Sequence, residues 1–265
     1  MIFDFFGAKK KAVVAMAHIG ALPGTPLYDA DGGMTKLIEG VAADIDRLQE
    51  GGVDAIMFGN ENDRPYELKG STEGIAAMTA VIEASKQQLK VPFGVNYLWD
   101  PAASVAIAAA TGASFVREIF TGVFASDMGV WAPDCATAAR LRRNIGAMHI
   151  KLFFNINAEF AYSLDQRPIE LRAKSAVFSS MADLILVSGP ITGQPAEHSA
   201  LKRVCETLDV PVFANTGVNI DNVAEVMAIA DGCIIGTHFK QDGDTWKPVD
   251  GARVKRFMDK VATLR

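Results

Sequence analysis

Leu184-Ile185-Leu186-Val187 runs into Ser188-Gly189-Pro190-Ile191-Thr192-Gly193, Val210-Pro211-Val212-Phe213-Ala214 into Asn215-Thr216-Gly217-Val218, and Cys233-Ile234-Ile235 into Gly236-Thr237-His238-Phe239-Lys240. Each is a short apolar run stopped by a glycine-bearing polar turn and followed by a helical pattern. That is how a buried parallel strand reads when its C-terminal end presents backbone N–H groups. Successive turns of this kind, late in a chain of 265 residues, are where a (β/α)8 barrel of about 250 residues holds a phosphate.

The rest of the chain repeats the pattern. Apolar runs at Ala12–Ala17, Asp54–Phe58, Val91–Asn96, Phe115–Ile119 and His149–Phe154 precede those quoted, and helical periodicity follows each. Leu37, Val41, Ile45 and Leu48 make one such stripe, stopped by Gly51-Gly52, and Ser71 is an N-cap candidate before Ile75, Met78, Val81 and Ile82. A final helix is expected over Gly251–Ala262. Glycine-bearing polar ends follow all the strands, whereas a doubly wound open sheet concentrates them at one switch point. The expectation is therefore a single α/β TIM-barrel domain over residues 1–265, with a parallel eight-stranded (β/α)8 sheet. Asp54-Ala-Ile-Met-Phe58 resembles Asp183-Leu-Ile-Leu-Val187 about half the chain away, which a barrel built from two halves would produce.

Composition excludes several classes. A hydrophobic fraction of 49% supplies a large core, and a net charge of −5 is the wrong sign for a nucleic-acid surface. The basic run Lys9-Lys10-Lys11 is too short to reverse this. Cys135, Cys205 and Cys233 form no C-x-x-C pair and read as small apolar residues in a reducing cytoplasm. Met1–Phe6 carries its positive charges after its apolar stretch, the reverse of a secretory signal, and no transmembrane segment is expected. A helix carrying Phe3, Phe5 and Phe6 across the barrel floor is expected instead. A homo-oligomer is compatible with all of this.

Charged residues inside barrel strands are costly unless paired or functional, and Arg117, Glu118 and Lys151 stand out. Alternation puts Arg117 and Glu118 on opposite faces, so one of them looks into the lumen. Lys151, on the next strand, is expected to reach the group that lies there, either as a salt bridge or as an anion-binding or acid–base residue. A Schiff base at Lys151 would need a desolvated pocket that nothing local marks. With His18, these are the candidate catalytic residues. Asn60, Asn96, Asn155, Ser188 and Asn215 at strand ends suit sugar hydroxyls, although turn formation accounts for any single Asn. Glu61, Asp63, Asp100 and Asp127 add carboxylates on the same loops. Gly193, Gly217, Gly236, Thr237 and Lys240 are the phosphate candidates. No H-x-x-x-H or H-x-H pair occurs, so no metal is expected, and no cofactor is identified.

His18-Ile-Gly-Ala-Leu-Pro-Gly-Thr-Pro26, Gly52-Val-Asp-Ala-Ile56, Pro92-Phe-Gly-Val-Asn96, Ala108-Ala-Ala-Thr-Gly-Ala113, Thr192-Gly-Gln-Pro195 and Ala230-Asp-Gly-Cys-Ile-Ile-Gly-Thr237 carry a resemblance to the BtpA/SgcQ family, of the ribulose-phosphate-binding barrel superfamily. The resemblance implies a barrel and a phosphorylated ligand. It also implies two functional classes: photosystem I accumulation in photosynthetic bacteria, and sugar metabolism elsewhere. The chain departs from the family pattern at three places. Asn155 and Glu159-Phe160 stand where the family tends to have an Asp and a downstream Lys-His pair. Ser188-Gly189-Pro190 replaces a glycine-threonine-like turn, and Asn215-Thr216-Gly217 a Gly-Ser-Gly-like one. Two expectations follow: an isomerase, epimerase or aldolase acting on a small phosphorylated metabolite, or a non-catalytic assembly or stability factor.

Overall fold

The computed structural model describes Phe6 and residues 10–265. Strands β1 (Ala12–His18), β2 (Ala55–Gly59), β3 (Phe93–Asn96), β4 (Phe115–Glu118), β7 (Lys151–Asn155), β9 (Leu184–Ser188), β10 (Val212–Asn215) and β11 (Gly232–Ile235) close into a parallel barrel in chain order, β11 pairing with β1. Helices α1 (Gly33–Glu50), α2 (Thr72–Ser85), α3 (Pro101–Thr111), α4 (Cys135–Asn144), α5 (Ile169–Ser180), α6 (His198–Thr207), α7 (Val223–Ile229) and α8 (Gly251–Ala262) alternate with them. The fold is the expected (β/α)8 TIM barrel. The α1 stripe buries Val41, Ile45 and Leu48, and Ser71 caps α2 by accepting the Gly74 N–H.

The glycine- and aromatic-rich segment after β4, expected as a loop, instead forms a hairpin. Its strands β5 (Phe124–Ser126) and β6 (Gly129–Trp131) are joined by β8 (Ala161–Ser163) in a separate antiparallel sheet, order β6-β5-β8. Asp100, expected as a reactive carboxylate, caps α3 by accepting from the Ala102 and Ala103 amides. Asp63 accepts the Leu22 N–H and the Asn60 amide.

Strand alternation sorts the barrel into levels. Val14, Met57, Phe115, Phe153, Leu186, Phe213 and Ile234 point inward as one apolar cluster. Phe115 stacks on Phe153 at 4.6 Å. Gly94 makes room for this, since a Cβ there would lie 2.2 Å from the Phe115 ring. The expected floor helix lies outside the described residues except at Phe6, whose ring is buried 5.8 Å from Phe213. Among the described residues no helix is long and apolar enough to cross a membrane.

The echo between strand starts has a physical use. Asp54 accepts the Val13 N–H and Asp183 the Leu152 N–H, each tying its own strand to the neighbouring one. Asp231 does the same for Val212, at a position that a two-half repeat does not require.

Lys240, expected at the phosphate, is buried. Its Nζ lies 2.9 Å from the Asp44 carboxylate on α1, and the other Asp44 oxygen accepts the Val249 N–H at 2.8 Å. The pair anchors both ends of the loop that leads into α8. Removing one partner of a buried pair strands the other charge, at a cost of about 3–5 kcal/mol. Asp44→Leu should lower the free energy of unfolding from urea titration by that amount, and adding Lys240→Met should recover part of it. Lys36→Ala, which breaks the exposed pair with Asp29, should leave the urea midpoint unchanged within error.

Candidate active site at the mouth of the barrel

One step above the apolar level, the same alternation produces a polar one. It comprises His18, Gly59, Asn96, Arg117, Asn155, Ser188 and Asn215, with Gly236 just beyond β11. Arg117 is therefore the lumen-facing member of the Arg117–Glu118 pair. Its guanidinium donates to Asn155 Oδ1 at 3.0 Å, Asn96 Oδ1 at 2.7 Å and Glu159 Oε1 at 3.0 Å. Asn96 passes its amide protons to Glu118, Asn155 and Asn215 both donate to Ser188 Oγ at 2.8 Å, and Thr192 donates to the second Glu159 oxygen.

Several expectations change in consequence. Asn96, Asn155 and Ser188 are buried; Asn96 and Asn155 accept from Arg117, Ser188 accepts from Asn155, and Asn60 holds Asp63 and the Leu98 N–H. Of the five substrate-binding candidates, Asn215 lines the cavity described next. Glu118 lies beside the platform and burial pushes its carboxyl up to about 8. Lys151 is a correction. It opens β7 opposite Phe115, a level below Arg117, and its ammonium pairs with Asp183 at 3.1 Å while its side chain stays 41% exposed. Strand adjacency is sequence-readable, but depth along a strand depends on where each strand enters the barrel.

Above the platform is a cavity of about 250 Å³. Its wall includes His18 and Glu61, with His18 Nε2 3.7 Å from Glu61 Oε1, beyond hydrogen-bond reach. Glu61 belongs to the loop after β2, yet its carboxylate folds back over Gly59, where a Cβ would meet it at 2.4 Å. Gly236 flanks the other side, its would-be Cβ 3.3 Å from the His18 ring. The two glycines leave the space that the His18–Glu61 pair fills.

Burial pushes the Glu61 carboxyl up to about 7, the nearby Arg117 opposing it. Burial, with help from the Lys240 and Arg117 cations, holds the His18 imidazole well below its ordinary value. At neutral pH the site therefore pairs a neutral imidazole with a carboxyl that is half protonated. Groups of that kind can accept and return a proton without a large penalty in either direction.

The opposite wall holds the predicted rim residues Gly193, Gly217, Gly236 and Thr237. Gly217 has φ +62° and Gly193 +84°, and a Cβ on Gly217 would clash with the Pro195 backbone at 2.1 Å. The N–H groups of Gly217, Val218, Thr237 and His238 donate to no acceptor among the described residues. The cation at this wall is Arg253, from the first turn of α8. It donates through Nε to the His238 carbonyl at 2.7 Å, and its Nη2 lies 3.4 Å from His238 Nδ1. Since Arg can only donate, His238 Nδ1 accepts and the ring proton is on Nε2. Burial, then Arg253, lowers the His238 pKa to about 4. Sequence reasoning missed Arg253 because an exposed-looking Arg on a helix start carries no local mark. Among the described residues no group of three or more His, Cys, Asp or Glu could hold a metal ion.

The BtpA family model matches residues 9–263, and the chain belongs to that family. It is 48% identical over 257 residues to the putative sgc region protein SgcQ of Escherichia coli K12, covering 97% of this chain and 96% of the relative. It is 27% identical to the photosystem I biogenesis protein BtpA of Synechocystis, covering 94% and 88%. Among solved structures, Mycobacterium tuberculosis tryptophan synthase gives a TM-score of 0.62 at 16% identity, covering 99% and 95%. Thermus thermophilus phosphoribosyl anthranilate isomerase gives 0.57 at 13%, covering 96% and 100%. At such identities these likenesses concern the barrel alone.

The raised carboxyls fix the sign of a pH effect. Between pH 6.5 and 8 the folded chain keeps protons on Glu61, up to about 7, and on Glu118, up to about 8, that the unfolded chain has released. Stability therefore falls as pH rises through this window, by at most about 1.4 kcal/mol per pH unit for each group. The lowered His18 and His238 act below pH 6.5, where they reduce stability as pH falls. Glu118→Gln should flatten the fall of Tm with rising pH from about 4.5 up to about 8, and leave the dependence below pH 4 unchanged.

Proposed function

We propose that this BtpA-family barrel is an enzyme acting on a small phosphorylated sugar or related metabolite, by proton transfer next to a carbonyl. The observation that carries the reading is the single cavity that has unpaired backbone N–H groups and Arg253 on one wall and the Glu61–His18 pair on the other. Free amides at a glycine turn beside a guanidinium suit a phosphate dianion. The carboxylate form of Glu61 takes a proton from the carbon beside a carbonyl. The electron pair moves to the carbonyl oxygen, where the field of Arg117 and a hydrogen bond from neutral His18 stabilise it. For an isomerase the proton then returns to the neighbouring carbon while the hydroxyl proton passes to the former carbonyl oxygen by way of His18; for an epimerase it returns to the opposite face of the same carbon. An aldolase that needs a lysine Schiff base is disfavoured, because Lys151 is at the wrong level and Lys240 is held by Asp44. The three free cysteines suit a reducing cytoplasm.

A second reading has one observation in its favour. The Synechocystis relative is described as a photosystem I biogenesis protein, so a non-catalytic assembly or stability factor remains the alternative. Stoichiometric co-purification with a protein partner, with no turnover of any phosphosugar, would favour it.

A thermal-shift screen of triose, pentose and hexose phosphates should find a compound that raises Tm by several degrees near saturation. Gly236→Asp or Arg253→Ala should abolish the shift, and Lys151→Ala should leave it intact. With that compound as substrate, Glu61→Gln should lower kcat by about 10²–10⁴-fold. A screen in which no phosphorylated compound stabilises the wild type would sink the reading.

A further inference from the structure

The inner cavity is smaller than the roughly 300–1,000 Å³ of most ligand pockets. It does not stop at its own mouth. A second cavity of about 760 Å³ lies against it, and Tyr66, Trp99, Phe160 and Thr192 line both. The second cavity's own wall adds Met128 and Trp246, so its character is aromatic, whereas the inner cavity has charged and hydrogen-bonding groups at its base and rim.

The aromatic rings are held rather than merely present. Trp99 is buried, packing edge-on to Tyr66 at 6.0 Å and against Trp131 at 5.8 Å, and Trp131 packs on Phe124 at 4.8 Å. Phe124 and Trp131 belong to β5 and β6, so the small antiparallel sheet is what backs this wall. On the other side, the Arg64 guanidinium lies 3.6 Å over the Trp246 ring. That contact joins the loop after β2 to the loop before α8 across the outer cavity, and keeps Trp246 in place although it is 47% exposed.

Phe160 stands at the junction. Its backbone is left-handed at φ +57°, a conformation that a side chain of this size adopts only when its surroundings impose it, and its N–H is fixed by the Pro190 carbonyl at 2.9 Å. The outcome is a half-exposed phenyl ring held between the two cavities. Arg64, Glu67 and Asp127 contribute charges of both signs to the outer cavity, so it selects neither a cation nor an anion.

We propose that the ligand of this barrel is bipartite, with a phosphorylated sugar in the inner cavity and an attached planar aromatic or heteroaromatic ring in the outer one. The ring enters beside Phe160 and packs against Tyr66, Trp99 and Trp246. Rigid aromatic faces favour a flat ring over a flexible chain, because the ring loses little conformational freedom on binding and gains offset or edge contacts. The inference rests on the phosphosugar reading given above and names the missing part of its substrate.

The test compares ribose 5-phosphate with its phenyl and hexyl 1-O-glycosides, with inorganic phosphate as a baseline, by calorimetric titration of the intact protein. The phenyl riboside 5-phosphate should bind at least tenfold tighter than ribose 5-phosphate, and the hexyl compound should gain clearly less. Trp246→Ala should remove most of the phenyl advantage while leaving the Kd for ribose 5-phosphate within about twofold. Equal binding of the phenyl and bare sugars overturns the ring site and leaves the phosphate reading standing. A hexyl gain as large as the phenyl gain overturns the planar class. If no phosphosugar binds, the inference falls, and the inorganic phosphate titration tells whether the anion site falls with it.

Discussion

A guanidinium buried in the lumen of a closed barrel has to find partners there, because it is largely withdrawn from water and leaving it unpaired would cost several kcal/mol. Arg117 meets that constraint with Asn96, Asn155 and Glu159, and each of these then needs a partner of its own. Asn96 finds Glu118, Asn155 finds Ser188, and Glu159 finds Thr192. Ser188 in turn receives Asn215. One buried charge thereby fixes the inward residues of β3, β4, β7, β9 and β10 at a single height. The network is demanding, since any member removed alone leaves its neighbours unsatisfied. Its product is a flat polar floor on which a cavity can stand.

The floor leaves one arc of the barrel free of the Arg117 network, and the His18–Glu61 pair lies there. β11, β1 and β2 contribute Gly236, His18 and Gly59 at this height, and neither glycine brings a side chain. Glu61 occupies the vacated space, so its carboxylate is enclosed by protein without a salt-bridge partner within hydrogen-bond reach. Arg117 is already opposed by Glu159, so its field on Glu61 is too weak to overcome desolvation, and the carboxyl stays raised. The arrangement separates two jobs. Charges on the Arg117 side are paired and hold the floor, while the pair on the other side can exchange a proton.

Much of this was legible in the sequence. Apolar runs with polar ends mark the strands and helical stripes the helices, Asn96, Asn155, Ser188 and Asn215 stand out at strand ends, and alternation puts either Arg117 or Glu118 in the lumen without saying which. The errors share a cause. Lys151 is an inward residue of its strand, yet its level depends on the register Phe115↔Lys151, which no local pattern encodes. Lys240 stands beside the phosphate rim in sequence, but its partner Asp44 is 196 positions away. Glu61 is legible as a top-face loop carboxylate to set beside His18, but its path, folded back over the inward-facing Gly59, is not. The Asn residues at equivalent strand ends suit sugar hydroxyls by residue type, whereas in the barrel Asn96 and Asn155 satisfy a buried cation.

The outer antiparallel sheet extends the same reasoning to parts of the chain that the barrel does not need. A (β/α)8 barrel closes without β5, β6 and β8, and residues 119–134 could have been a short connection. Instead Phe124 and Trp131 are buried against Trp99, and the exposed face carries Val130 and Tyr162. Ordering such a segment costs conformational entropy for every residue, so it persists only where the contacts made exceed that cost. Those contacts are aromatic, and they converge on Trp99, a residue that reaches both cavities. The excursion is therefore best understood through what it immobilises. Strand ends set the height of the polar floor, and the hairpin sets the position of the aromatic wall, so the two halves of the cleft are built by separate elements and are free to vary independently.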